Sequence, residues 1–150
     1  MSNWPFIVNR PWVPQQPYLF QGTVASNLDP SGTAGEADLR AALSAVGLSL
    51  DPGAPVREGG SNFSQGERQL ICLARALRVP RPFIVMDEPT SAIDNETDVR
   101  VQSVLHRDRG AATVITIAHR LETLGSYDLV IELGQGRVVR QGTPRDFGIT

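Results

Sequence analysis

The chain has 150 residues, 41% of them hydrophobic and 20% charged, with a net charge of -2 and a pI near 5.6. That length suits one domain able to bury roughly 70% of its unfolded surface, and the composition is too apolar for a disordered chain. The charge balance argues against a broad nucleic-acid or anionic-membrane footprint, no stretch approaches the roughly 18 consecutive apolar residues of a membrane span, and the first residues lack the apolar core of a signal peptide.

Residues 1–18 carry four prolines and two tryptophans. Proline removes backbone donors, so this segment is expected to be extended chain and loop. "GEADLRAALSAVGL" (35–48) places Leu39, Leu43 and Val46 on one helical face, with Gly47 as the stop. "SLDPGAPVREGG" reads as loop by its proline and glycine content. From Ser64 the apolar residues Leu70, Leu73, Ala74 and Leu77 recur at helical spacing until Pro80, which predicts a helix of about four turns. The single cysteine, Cys72, lies on it among apolar residues; it excludes an internal disulfide framework and reads as a small buried hydrophobe.

"FIVM" (83–86) fits a short strand covered on both faces. Asp94 is placed to cap a helix through "NETDVRVQSVLHR", and "ATVITIA" (112–118) predicts a second buried strand. "DLVIEL", "GQG" and "RVVRQG" read as two strands joined by a glycine turn. Strand, helix, strand over residues 83–118 is a crossover unit, so its strands are expected to be parallel neighbours. Their carboxyl ends then share the sheet edge where open α/β proteins bind ligands.

Asp87 and Glu88 fall at that edge. They are either solvated loop acids or a working pair, one carboxylate holding hydrated magnesium while its neighbour orients or deprotonates an attacking water. His119 ends the second strand at the same edge, where a donor would stabilise charge on a transferring phosphoryl group; His106 looks solvent-facing. Ser64-x-x-Glu67 matches a capping box. Capping does not explain the flanking Gly59, Gly60 and Gly66 or the adjacent Arg68, and free amides at a glycine-lined helix start also make an anion site. All 14 cationic side chains are arginines. Without lysine, these residues cannot contain a phosphate loop of the G-x-x-x-x-G-K-[ST] type.

"SNFSQGERQLICLARAL", "FIVMDEPTSAID" and "TVITIAHRL", in that order, resemble the carboxyl-terminal half of an ATP-binding cassette (ABC) nucleotide-binding domain. With "WVPQQPYLFQGTVASNLDP" ahead of them, the resemblance is greatest to the second cassette of the multidrug-resistance-associated exporter subfamily. It implies an α/β, partial P-loop NTPase-like fold with a parallel sheet core and a helical subdomain, the amino-terminal sheet and phosphate loop being missing. Residues 1–11 would be a divergent start, about 12–82 the glutamine loop and helical subdomain, and about 83–150 the acidic strand end, interface loop, switch histidine and terminal hairpin.

The resemblance also implies roles. Gln15 would sense magnesium and the attacking water and couple the site to transmembrane helices. Phe63 to Glu67 would be the signature sequence, contacting through Ser64, Gln65, Gly66 and Glu67 the terminal phosphate of ATP held by the opposite cassette. Asp87 would serve magnesium, Glu88 would be the general base and His119 the switch histidine. Ser91 to Asp94 would cross the dimer interface. Gln65 and Glu67 depart from the commoner "LSGGQ" form while Ser64 and Gly66 are kept.

The expected cofactors are ATP and Mg2+. The expected partners are a second cassette in a head-to-tail dimer and the transmembrane domains of an exporter, with no nucleic acid and membrane contact only through a partner. The expected location is cytoplasmic, at the inner face of a membrane when assembled. Without the phosphate loop the chain alone is expected neither to hold ATP tightly nor to hydrolyse it at a family-like rate. An apolar sheet face is expected to be left open. The alternatives are a non-catalytic module that docks on a complete transporter and a non-functional gene fragment. A soluble ABC ATPase of DNA repair or translation is disfavoured by the exporter-like "YLFQGTVASNLDP" and the balanced charge.

Overall fold

The computed structural model describes residues 12–87, 93–94, 98–99, 101–103, 105, 112–118 and 121–149. The chain forms two compact units, Met1–Thr116 and Ile117–Thr150.

The first unit is built on a sheet of three strands, β1 (Trp12–Val13), β4 (Phe83–Asp87) and β5 (Thr113–Ile117), in the order β1-β4-β5. β1 lies parallel to β4, with Trp12 opposite Val85 and Val13 opposite Met86. Pro14 follows β1 and withholds a donor there, which ends the strand. The segment expected to be only loop and extended chain thus contributes a strand, because β4 offers it a pairing edge. β4 and β5 are hydrogen-bonded neighbours, as the crossover reading expects.

Strand alternation sends Val13, Ile84 and Met86 into the core, 0%, 3% and 0% exposed. Trp12, Phe83 and Ile115 point the other way and are 46%, 49% and 52% exposed. The expectation that both strands are covered on two faces is therefore corrected: β4 buries one face, β5 is at most half-buried through Val114 and Thr116, and Trp12, Phe83 and Ile115 leave an apolar surface exposed on the other.

A helical layer covers the buried face. α1 (Val24–Leu28) is short and closed by a reciprocal cap, Ser26 N–H donating to Thr23 Oγ1 and Thr23 N–H to Ser26 Oγ. α2 (Glu36–Ala45) buries Leu39 and Leu43, and Val46 follows fully buried, as the periodicity predicts. Just ahead of α1, β2 (Gly22–Thr23) pairs antiparallel with β3 (Pro55–Val56), so the stretch read as loop also supplies a two-residue strand. α3 (Gln65–Arg78) buries Leu70, Ile71, Cys72, Leu73 and Ala74 against α1, α2 and β1. Each buried Leu or Ile contributes about 1.5–3 kcal/mol of transfer free energy. The helix ends where Val79, preceding Pro80, turns to φ -104°, ψ 122°. Beyond β4, residues 98–99, 101–103 and 105 are helical, and Val101 and Leu105 join the core.

In the second unit β6 (Val130–Gly134) and β7 (Arg137–Gly142) form the expected hairpin. Its turn needs two positive φ angles, 49° at Gln135 and 75° at Gly136, the type I′ pattern that a twisted hairpin favours. Arg140 stacks its guanidinium 4.2 Å from the Phe147 ring centroid.

Candidate functional site

The start of α3 is a capped helix terminus. Ser64 takes extended backbone angles, its Oγ accepts Glu67 N–H at 3.2 Å, and Glu67 Oε2 accepts Ser64 N–H at 2.8 Å. These two bonds occupy Ser64 and Glu67. A helix leaves its first amides without intrahelical acceptors, and here Gln65 and Gly66 carry them, with the positive end of the helix dipole behind. Gly66 brings no side chain in front of those amides, so an anion can approach them. Glu67 adds one negative charge to the same turn, which opposes an anion.

Behind this turn the chain is tightly built. Gly60 has φ 71°, and a Cβ there would lie 2.9 Å from both Arg68 Cδ and Leu19 Cδ1. Arg68 Nη1 reaches Gly59 O at 3.4 Å, so its guanidinium turns to the glycine loop. Cys72 is buried, burial pushes its thiol pKa up, and its Sγ lies 3.6 Å from Tyr18 O. A protonated, enclosed thiol is no nucleophile, in keeping with the small-hydrophobe reading.

The parallel register brings a second pair of expected residues to one edge. Val13 faces Met86, so Pro14 and Gln15 leave β1 at the edge where Asp87 ends β4. Gln15 is exposed and Asp87 half-buried. Among the described residues no three His, Cys, Asp or Glu side chains converge as a metal cluster. A cation at this edge would rely on Asp87, Gln15, water and its own ligand, a donor set that fits magnesium, which keeps much of its hydration. Asp94 is exposed, and its carbonyl accepts Asp98 N–H at 2.9 Å; the helix start expected after it lies outside the described residues. Glu88, His119, Ser91 and His106 lie outside the described residues.

Sequence reading missed the residues that fix the loop after Gln15. Asn27 is fully buried; its Oδ1 accepts Phe20 N–H at 2.8 Å, and its Nδ2 donates to Phe20 O at 2.8 Å and Thr23 O at 3.0 Å. Asp29, 4% exposed, pairs with Arg78 Nη2 at 3.0 Å and accepts Ala34 N–H at 2.6 Å. The Ser31 hydroxyl bond, with the amide bonds and Arg78, outweighs burial and lowers the Asp29 pKa to about 2. The Thr23-x-x-Ser26 cap ahead of "NLDP" was the available signal.

Residues 6–91, more than half of the chain, match the family described as ABC transporter. Over 143 residues the chain is 46% identical to a multidrug resistance protein of Leishmania tarentolae, covering 90% of this chain and 9% of that protein. Over 142 residues it is 43% identical to human ATP-binding cassette sub-family C member 3, covering 90% of this chain and 9% of that protein. The chain thus spans about a tenth of the length of these relatives. Among solved structures, a bacterial Atm1-family ABC exporter with ATP bound superposes with a TM-score of 0.82 at 32% identity, over 91% of this chain and 25% of that one. The ordered strand edge, the capped glycine-lined helix and these matches lead to one conclusion: the chain belongs to the ABC transporter family.

Proposed function

We propose that these residues form the signature-bearing part of an exporter's ATPase, closing on ATP that a second cassette holds in a head-to-tail pair. The observation that carries this reading is the start of α3, where capping occupies Ser64 and Glu67 and leaves the Gln65 and Gly66 amides for a terminal phosphate. Asp87 and Gln15, at one sheet edge, would hold magnesium, which supplies charge neutralisation of the phosphates. Glu88 would take the proton of the attacking water, His119 would donate to the terminal phosphate, and Asp94 would belong to the loop crossing the interface. The phosphate-loop lysine must come from outside these 150 residues, since all 14 cationic side chains here are arginines. Transmembrane domains would receive the motion through the Gln15 loop, and the assembly would sit at the cytoplasmic face of a membrane.

The test is sedimentation of the 150-residue chain with a complete cassette of the family, whose general base is replaced so that ATP persists. A complex that forms with Mg-ATP and dissociates without it is the expected result. Failure to associate, from a chain whose circular dichroism shows it folded, would defeat the proposal.

A further inference from the structure

Resting on that reading of the two loops, we propose that Leu19 is a positioning residue that locks the segment after Gln15 to the start of α3, so both phosphate-side loops move as one body. Leu19 is fully buried, and its Cδ1 forms one wall of the notch at Gly60, the Arg68 stem forming the other. A Cβ at Gly60 would lie 2.9 Å from either wall, so a side chain there would have to displace Leu19 or the Arg68 stem. The backbone on both sides of Leu19 is tied down as well. Phe20 is held through its N–H and its carbonyl by Asn27, and Tyr18 O lies against Cys72 Sγ on α3.

On the far side of the notch the bonds run straight to the cap. Gly60 O accepts Phe63 N–H at 2.9 Å, Phe63 precedes the capping Ser64, and Arg68 N–H returns to Ser64 O at 3.0 Å. Arg68 Nη1 lies 3.4 Å from Gly59 O. A displacement of Tyr18–Phe20 therefore meets Leu19, then Gly60 and Arg68, then the turn bearing Ser64 to Glu67. Packed contacts of this kind have few intermediate arrangements, so they pass on a shift instead of absorbing it.

Amide hydrogen exchange of the 150-residue chain, with no nucleotide present, tests the lock independently of whether the loops bind phosphate. Leu19→Val shortens the contact by one methylene, and Leu43→Val removes the same group from an equally buried site on α2. Leu19→Val is expected to accelerate exchange at Gly60, Phe63 and Arg68 at least about fivefold more than Leu43→Val does. Leu19→Met, which conserves volume, should restore the original rates. Gly60→Ala, pressing on the contact from the other side, should accelerate exchange at Phe20, and this arm decides if Leu19→Val does not fold. Equal acceleration by Leu19→Val and Leu43→Val, or a Phe20 rate unmoved by Gly60→Ala, would overturn the proposal.

Discussion

Ser64 serves two purposes in this account, and two substitutions separate them. Ser64→Ala removes the Oγ that accepts Glu67 N–H at 3.2 Å, which costs about 1 kcal/mol for an N-cap. In a domain of this size that lowers the thermal midpoint by about 3 °C. Ser64→Asp keeps a capping oxygen, since Asp and Ser are near-equal N-caps, so stability should stay within about 0.5 kcal/mol. It also sets a full negative charge where a phosphate is to dock. At about 4 Å the repulsion is roughly 1 kcal/mol under full water screening and roughly 4 kcal/mol for a pair at a protein surface. Even the lower figure weakens ATP-dependent association about fivefold. Because the introduced carboxylate also faces Glu67, both variants are compared in a Glu67→Gln background, and that background alone should strengthen association by removing a charge from the turn. Midpoints come from circular dichroism and affinities from sedimentation with a complete cassette and Mg-ATP. If Ser64→Asp weakened association no more than Ser64→Ala, the turn would be a helix cap and nothing else.

Other consequences can be measured on the chain alone. Asp29 has a folded pKa of about 2, below its usual 3.8. Its contribution of about 2 kcal/mol is therefore fully present above about pH 4 and lost as pH falls toward 2; acid unfolding of Asp29→Asn should lack that portion of the slope. Asn27→Ala strands the Phe20 N–H and carbonyl and should cost about 2–4 kcal/mol by urea unfolding, whereas an exposed polar substitution costs little. Phe83→Ser on the open face should cost under about 1 kcal/mol, against about 2–4 kcal/mol for Ile84→Ala on the buried one; equal costs would mean the strand is covered on both sides.

Local chemistry made much of this legible. The α3 cap is written in Ser64 and Glu67, the stop in Val79 and Pro80, the α2 face in Leu39, Leu43 and Val46, and the hairpin turn in Gln135 and Gly136. What escaped was decided by distant partners. Trp12–Val13 and Pro55–Val56 are strands only because β4 and β2 offer them ladders, and no two-residue stretch carries a period of its own. The apolar runs of β4 and β5 suggested two covered faces, yet a run of that kind cannot show whether a second layer is present over Phe83 and Ile115. Asn27 looks like a loop residue until Phe20 closes around it. At the candidate site, the parallel register carries Gln15 and Asp87 to one sheet edge and the capping box gathers Ser64 and Glu67, so the residues nearest to regular elements were the easiest to place.

The most direct measurement is nuclear magnetic resonance of the nitrogen-15-labelled chain mixed with a complete, hydrolysis-blocked cassette. Adding Mg-ATP should shift the Gln65 and Gly66 amide protons strongly downfield, as new hydrogen bonds to phosphate require, and should leave Leu39 and Leu43 on α2 unmoved. ATP-dependent association with no change at those two amides would contradict the claim that the start of α3 receives the phosphate.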